Sequence, residues 1–239
     1  MIQFYMNRRT TLITISFVFA SVAAAVAQDP VKAAPQSYKL QFENDLVKVL
    51  RVHYAARSKV PIHDHSRSPA AYVYLSDSGQ INFKHAGWEH PVLTRPAVKA
   101  GSFRLSPTRF DNETHEAENP GDLASSFLRI EFKYLPVAKT RVLGRFPREQ
   151  LTAGALSKVH FDNEQVRVTR HVVPSGRELK FPGTPEPALL AILFAGAPTE
   201  GRKAEYEPGQ TIWIDSGKER TIRNDTGAAI EFLKFDLKK

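Results

Sequence analysis

Cysteine is absent from this 239-residue chain. Its absence excludes disulfides, thiolate metal sites and a cysteine nucleophile together, even in an oxidising compartment. Stability must come from packing. No Gly-x-Ser-x-Gly elbow occurs, and the serine of Pro174-Ser175-Gly176 reads as a turn residue. No glycine-rich phosphate loop precedes a helix, which argues against nucleotide binding. Lys/Arg blocks are missing too, so the formal charge of +8 describes a solvated basic surface rather than a nucleic-acid footprint. Long segments of helical period are also absent. The one long apolar run lies at the N-terminus.

That run, Leu12 to Val26, follows Asn7, Arg8 and Arg9 and ends in Ala25-Val26-Ala27, the small-x-small form that a signal peptidase cuts. Residues 1–27 are expected to be a signal peptide cut near Gln28, which places the mature protein in the periplasm or outside the cell. Thr14 and Ser16 interrupt the run, and it is shorter than the roughly 20 apolar residues of a membrane span. No permanent membrane anchor is therefore expected. Removing Arg8 and Arg9 from the 33 basic residues, against 25 acidic ones, lowers the charge to +6.

The rest of the chain repeats itself. Residues 42–51, FENDLVKVLR, align with residues 161–170, FDNEQVRVTR, at a spacing of 119. The ends of the two units agree as well, FLRIEFK at 127–133 against FLKFDLK at 232–238. Each unit is a series of short Val-, Ile-, Phe- and Tyr-rich segments separated by Gly, Pro and Asn/Asp turns. Many short strands predict an all-β sandwich or barrel. The chain divides into a linker at 28–39, a first barrel at 40–134, a connector at 135–158 with a helical turn near Glu149 to Leu156, and a second barrel at 159–239.

Histidine carries the chemistry. In Pro61-Ile62-His63-Asp64-His65 a strand points His63 and His65 to one face and Asp64 to the other. A third histidine, His115, stands in Thr114-His115-Glu116-Ala117-Glu118-Asn119 just before another strand. Glu113, Glu116 and Glu118 flank it; they offer a base or a fourth ligand, although such a run is more often a solvated loop. His53, His85, His90, His160 and His171 lack comparable context. His85 and His90 sit near Gly87 and Pro91 in an expected loop.

With these residues the chain resembles the cupin superfamily. Pro61, His63 and His65 match that family's first motif, and Gly101, Pro107, His115 and Asn119 match its second. The resemblance covers both units and implies two tandem double-stranded β-helix (jelly-roll) barrels with a metal inside the first. It also departs from the family pattern: Arg57 and Arg109 replace glycines, and the motif glutamate falls on Tyr72 or Ala70. The implied site is three neutral histidines, His63, His65 and His115, holding a divalent transition metal (Fe, Mn, Ni, Cu or Zn) with open positions. In the second unit Pro182, Thr184 and Arg220 stand at the matched positions, so all three ligands are gone together.

Three readings follow. The first is a metal-dependent enzyme, oxygenase or isomerase-like, acting on a small molecule with Tyr72, Tyr74, Phe83, Phe103 and Arg104 as pocket candidates. The second is a non-enzymatic metal- or ligand-binding module of the cell envelope, in which the repeated Arg51 and Arg170 would contact an anion unless they form structural salt bridges. The third is an oligomeric scaffold with vestigial histidines. A small-molecule ligand and a homodimeric partner stay open; nucleic acid is not expected.

Overall fold

The computed structural model describes residues 28–106, 113–134, 144–149, 151, 156–196 and 205–238. The expected signal peptide, much of the connector with its helical turn, and Pro107 and Arg109 of the second motif lie outside these residues. Among the described residues no helix is long and apolar enough to cross a membrane.

The first unit opens with a single-turn helix, α1 (Pro30–Ala33), whose N-cap Asp29 accepts a hydrogen bond from the Val31 amide. Ten strands follow: β1 (Tyr38–Glu43), β2 (Val47–Tyr54), β3 (Ser58–His65), β4 (Ala70–Tyr74), β5 (Ile81–His85), β6 (Val92–Arg95), β7 (Phe103–Ser106), β8 (Glu113–Asn119), β9 (Ser125–Phe132) and β10 (Gly144–Phe146). They form a six-stranded sheet, β1-β2-β9-β4-β7-β10, and a four-stranded sheet, β3-β8-β5-β6. The second unit contains β11 (Ser157–Asp162), β12 (Val166–Val173), β13 (Glu178–Phe181), β14 (Ala188–Ala195), β15 (Thr211–Ile214), β16 (Arg220–Arg223) and β17 (Ile230–Leu237). These give a five-stranded sheet, β11-β12-β17-β14-β15, and the pair β13-β16.

The repeat has a physical cause at each end. Asn44 Oδ1 accepts from the Leu46 and Val47 amides, and Asn163 Oδ1 from those of Gln165 and Val166, so the same side chain closes the β1–β2 and β11–β12 hairpins. Asn119 Nδ2 donates to the carbonyls of Ala55 and Leu123, and Asn224 Nδ2 to those of Val173 and Ala228. The motif asparagine is thus a clamp between strands, not a ligand. Both hairpins carry a register shift at the same place, between Leu40 and Phe42 and between Val159 and Phe161.

The two large sheets pack against each other and are buried on both faces. On β9 the outward residues Leu128, Ile130 and Phe132 join Val47, Val49 and Leu105 against Val168, Leu189, Leu233 and Phe235 of the second barrel. The inward residues of the same strand, Phe127, Arg129 and Glu131, face the first barrel's interior. Period-two alternation therefore assigns one side of the sheet to inter-barrel packing and the other to the site. Phe103, a pocket candidate by sequence, lies on the outward side in the shared core, where it borders an adjoining chamber and not the histidine cavity. Adjacent residues of a strand cannot both point inward, and Arg104 takes the inward place.

The repeated arginines cross the same interface. Arg170, completely buried, pairs with Glu231 and donates from Nη2 to the Gly101 carbonyl of the first barrel at 2.6 Å. Arg51 reaches back to the Pro208 carbonyl of the second at 3.2 Å. Gly101 and Gly209 adopt φ of 79° and 83°, and a Cβ on either would strike the side chains that cross there. Both arginines are structural clamps.

Candidate metal centre

Strand β3 begins with Val60 facing inward, then shifts register between Val60 and His63 against β8. Pro61 and Ile62 occupy the shift, where the missing proline N–H costs no ladder bond. His63 and His65 then point inward and His115 stands directly opposite His63. All three are almost wholly buried. One ring nitrogen from each lies within 4.8 Å of those from the other two.

The other side of each ring faces an oxygen. His63 Nδ1 is 2.7 Å from the Pro61 carbonyl; a carbonyl only accepts, so Nδ1 carries the proton and Nε2 presents its lone pair. His65 Nδ1 is 3.7 Å from Glu131 Oε1, and His115 Nδ1 is 3.6 Å from Glu113 Oε1. A hydrogen bond therefore fixes the His63 ring, while the two carboxylates stand behind the other rings beyond hydrogen-bond distance. The Nε2 atoms of His63 and His65 are 3.2 Å apart, close to the ligand–ligand edge of roughly 3 Å implied by metal–nitrogen bonds of about 2 Å. Both ring nitrogens of His115 and Nδ1 of His65 are buried without a hydrogen-bond partner. A transition metal fits this donor set.

Electrostatics favour the same state. Burial, reinforced by His115 and Arg129, pushes His63 down to about 4. Burial and Arg129 likewise hold His65 well below its ordinary value, and burial lowers His115. Burial alone would raise Glu131, but Arg129 and His65 outweigh it and bring the carboxyl down to about 2. Glu113 is held well below its ordinary range against the same opposing effect of burial, chiefly by His115, His85 and Arg129. The centre is thus three neutral imidazoles backed by two carboxylates. Arg129 fixes both acids, at 3.2 Å from Glu113 and 2.8 Å from Glu131, and donates to the Tyr72 hydroxyl at 2.6 Å.

Several of these residues were hidden in the sequence. Tyr38 belongs to the segment read as a linker, yet it opens β1 and sets its hydroxyl 3.0 Å from His63 Nε2 and 2.5 Å from the Tyr54 hydroxyl. His85, expected in a loop, is the last residue of β5 and is 2% exposed. It stacks on Trp88 at 3.7 Å and stands 3.5 Å from Glu113; Gly87, at φ 74°, turns the chain only after it. The acidic run around His115 is a strand and not a loop: Glu113 lines the cavity, while Glu116 and Glu118 face away and pair with Lys84 and Lys59. Glu131 stands directly across the β4–β9 ladder from Ala70, but it backs the His65 ring and pairs with Arg129, so it does not replace the missing ligand. Tyr72, Tyr74, Phe83 and Arg104 line a cavity of about 80 Å³ together with His65 and His115.

Two stacked jelly-roll barrels with histidines on facing inner strands define the cupin fold, and solved structures agree. AerE from Microcystis aeruginosa superposes with a TM-score of 0.56 at 14% identity, over 85% of this chain and 98% of that one. The bacterial pirin YhhW from Escherichia coli, solved in complex with nickel(II), gives 0.55 at 16% identity over 84% and 90%. Salicylate 1,2-dioxygenase from Pseudoaminobacter salicylatoxidans, solved as adducts with gentisate, gives 0.52 at 11% identity over 80% and 68%. The chain shares the two-barrel, cupin-type fold of these proteins. No protein-family model and no curated protein matches the sequence.

Proposed function

We propose that the first barrel binds one divalent transition metal through Nε2 of His63, His65 and His115 and acts as a metal-dependent enzyme on a small molecule. The observation that carries this reading is the convergence of three buried imidazoles, one ring nitrogen of each lying within 4.8 Å of those of the other two. A bound ion would supply Lewis-acid polarisation or redox chemistry to a coordinated molecule. The protein supplies orientation: the Pro61 carbonyl holds the His63 ring, Glu131 and Glu113 stand behind those of His65 and His115, and Arg129 holds the acids. Tyr38 and Tyr54, whose burial raises their hydroxyl pKa values, stay protonated and offer donors beside His63. The cavity beside the histidines favours an enzyme over a closed structural site, because a molecule has room next to the ion. Export to the periplasm or beyond belongs to the same proposal on the strength of the N-terminal sequence, and an intact mass retaining Met1 in exported material would overturn it.

A second donor set, His85, Glu113 and His115, shares one histidine with the first. Its carboxylate is already engaged by Arg129 and its His85 ring by Trp88, so the three-histidine set is preferred. Copper(II) added to chelator-treated protein distinguishes the two by electron paramagnetic resonance. Three-imidazole coupling that survives His85→Ala and is lost in His63→Ala supports the assignment. The reverse pattern transfers the ion to the second set, and no bound copper in the parent protein defeats the proposal.

A further inference from the structure

Across the six-stranded sheet one row of inward residues reads Arg129, Tyr72, Arg104, Arg145, each directly opposite the next on adjacent strands. Arg129 is neutralised by Glu113 and Glu131. Arg104 and Arg145 are not: among the described residues neither has a carboxylate at salt-bridge distance, and they stand as a like-charged cross-strand pair. Such a pair is destabilising unless something negative lies between the two charges. Arg104 is stacked on the Tyr72 ring at 3.8 Å, and its Nε is buried without a hydrogen-bond partner.

Arg95 adds a third unspent donor. It is 6% exposed and pinned through Nη2 to Ser78 Oγ at 2.9 Å and Ser125 Oγ at 3.2 Å, while Nη1 has no partner. Arg95, Arg104 and Arg145 all belong to the wall shared by the histidine cavity and an adjoining chamber of about 320 Å³. No acidic residue lines that outer chamber among the described residues; its other two cations, Lys99 and Arg148, are paired with Asp77 and Glu231, so Arg95, Arg104 and Arg145 are the ones left to meet an anion. Burying guanidinium groups with unmade hydrogen bonds costs stability, which an arriving oxyanion would recover.

We infer that Arg95, Arg104 and Arg145 form an oxyanion cradle, and that the molecule taken into the first barrel is a small carboxylic acid. Its carboxylate lies on the guanidinium forks and its apolar body points past Tyr74, Phe83 and Phe127 toward the histidines. Planar forks suit a carboxylate in a two-pronged contact, and the aromatic inner wall suits an apolar body better than a fully hydrated anion. The inference rests on the metal proposal only for which end of the molecule would react.

The test is calorimetric titration of the full-length, metal-stripped protein with benzoate, with its uncharged isostere benzamide, and with inorganic phosphate. Stripping the metal keeps direct ion–carboxylate bonding out of the result, so a failed metal assignment leaves the outcome readable. Benzoate is expected to bind saturably and at least about tenfold more tightly than benzamide. Arg104→Gln and Arg145→Gln should each weaken benzoate about tenfold while leaving benzamide nearly unchanged. A ligand-free readout accompanies them: Arg145→Gln, at an exposed position, should unfold at the same or a higher temperature than the parent because the like-charge contact is relieved. No benzoate binding to the parent, equal binding of benzoate and benzamide, or unchanged affinity in both arginine variants overturns the cradle. Phosphate binding more tightly than benzoate overturns the carboxylic-acid assignment.

Discussion

The two barrels share a scaffold and differ in what fills it. Tyr54, Tyr72 and Tyr74 of the first barrel correspond through the strand pairings to Val173, Leu190 and Ile192 of the second. His63 and His115, which face each other across β3 and β8, are matched by Phe181 and Arg220 facing each other across β13 and β16. Aliphatic side chains close the second interior into a packed core, whereas tyrosines, histidines and arginines leave the first with a polar cavity. The outer faces of the large sheets remain apolar in both, because each covers the other. The second barrel therefore has a role that needs no ligand: it buries the back of the sheet that presents Arg129 and Glu131. A site built of unpaired imidazoles and buried charge is costly, and the shared core offsets that cost.

The largest expected effect comes from breaking that partnership. Phe235→Ala, in the shared core, should cost about 3–5 kcal/mol. Both barrels should lose stability in one calorimetric transition; two separate transitions would show that the barrels are independent. Next in size is Arg129→Ala, which strands two buried carboxylates and should cost about 3–5 kcal/mol. At the matched position of the second barrel, Lys234→Ala removes only a partly exposed pair with Asp236 and should cost about 1 kcal/mol. Equal losses in denaturant titrations would deny that the first interior is specialised.

Smaller still are the changes that the barrels should share. Asn119→Ala and Asn224→Ala each orphan carbonyls at the same corner and should cost about 1–3 kcal/mol apiece. A large difference between them would mean that the repeated asparagine has kept a second role in one barrel.

The last difference is a pH slope, small near neutral pH. Burial, with Lys234 nearby, pushes His171 down to about 4 from 6.5. Between those values the unfolded chain takes up a proton that the folded chain refuses. The contribution is therefore fully present above about pH 6.5 and is lost as pH falls toward 4, at up to about 1.4 kcal/mol per pH unit. His171→Val installs the residue found at Val52 in the first barrel and should lessen the slope by about one proton's share, leaving that of the buried histidines of the first barrel. An unchanged slope would remove His171 as its cause.

Much of this was legible in the sequence because it is local or repeated. The Asn44 and Asn163 turns, the alternation around His63 and His65, and the matched ends of the units all lie within ten-residue windows. Tyr38, His85 and Glu131 escaped because long-range pairing brings them to the site: Tyr38 through β1 on β2, His85 opposite His115 on β8, and Glu131 opposite Ala70. A signal for Glu131 did exist in the repeated Arg-x-Glu and Lys-x-Asp of the terminal strands. Of the neighbours Phe103 and Arg104, both candidates by sequence, which one faces the histidines turns on one residue of strand parity, which composition does not fix.

The central claim, that the first barrel alone holds the metal, is tested most directly by metal content per chain in full-length protein purified from its own compartment, with His115→Ala and His85→Ala beside it. About one ion per chain in the parent and in His85→Ala, with none in a folded His115→Ala, is the expected result. Equal metal in the parent and His115→Ala, or none in the parent, would contradict it.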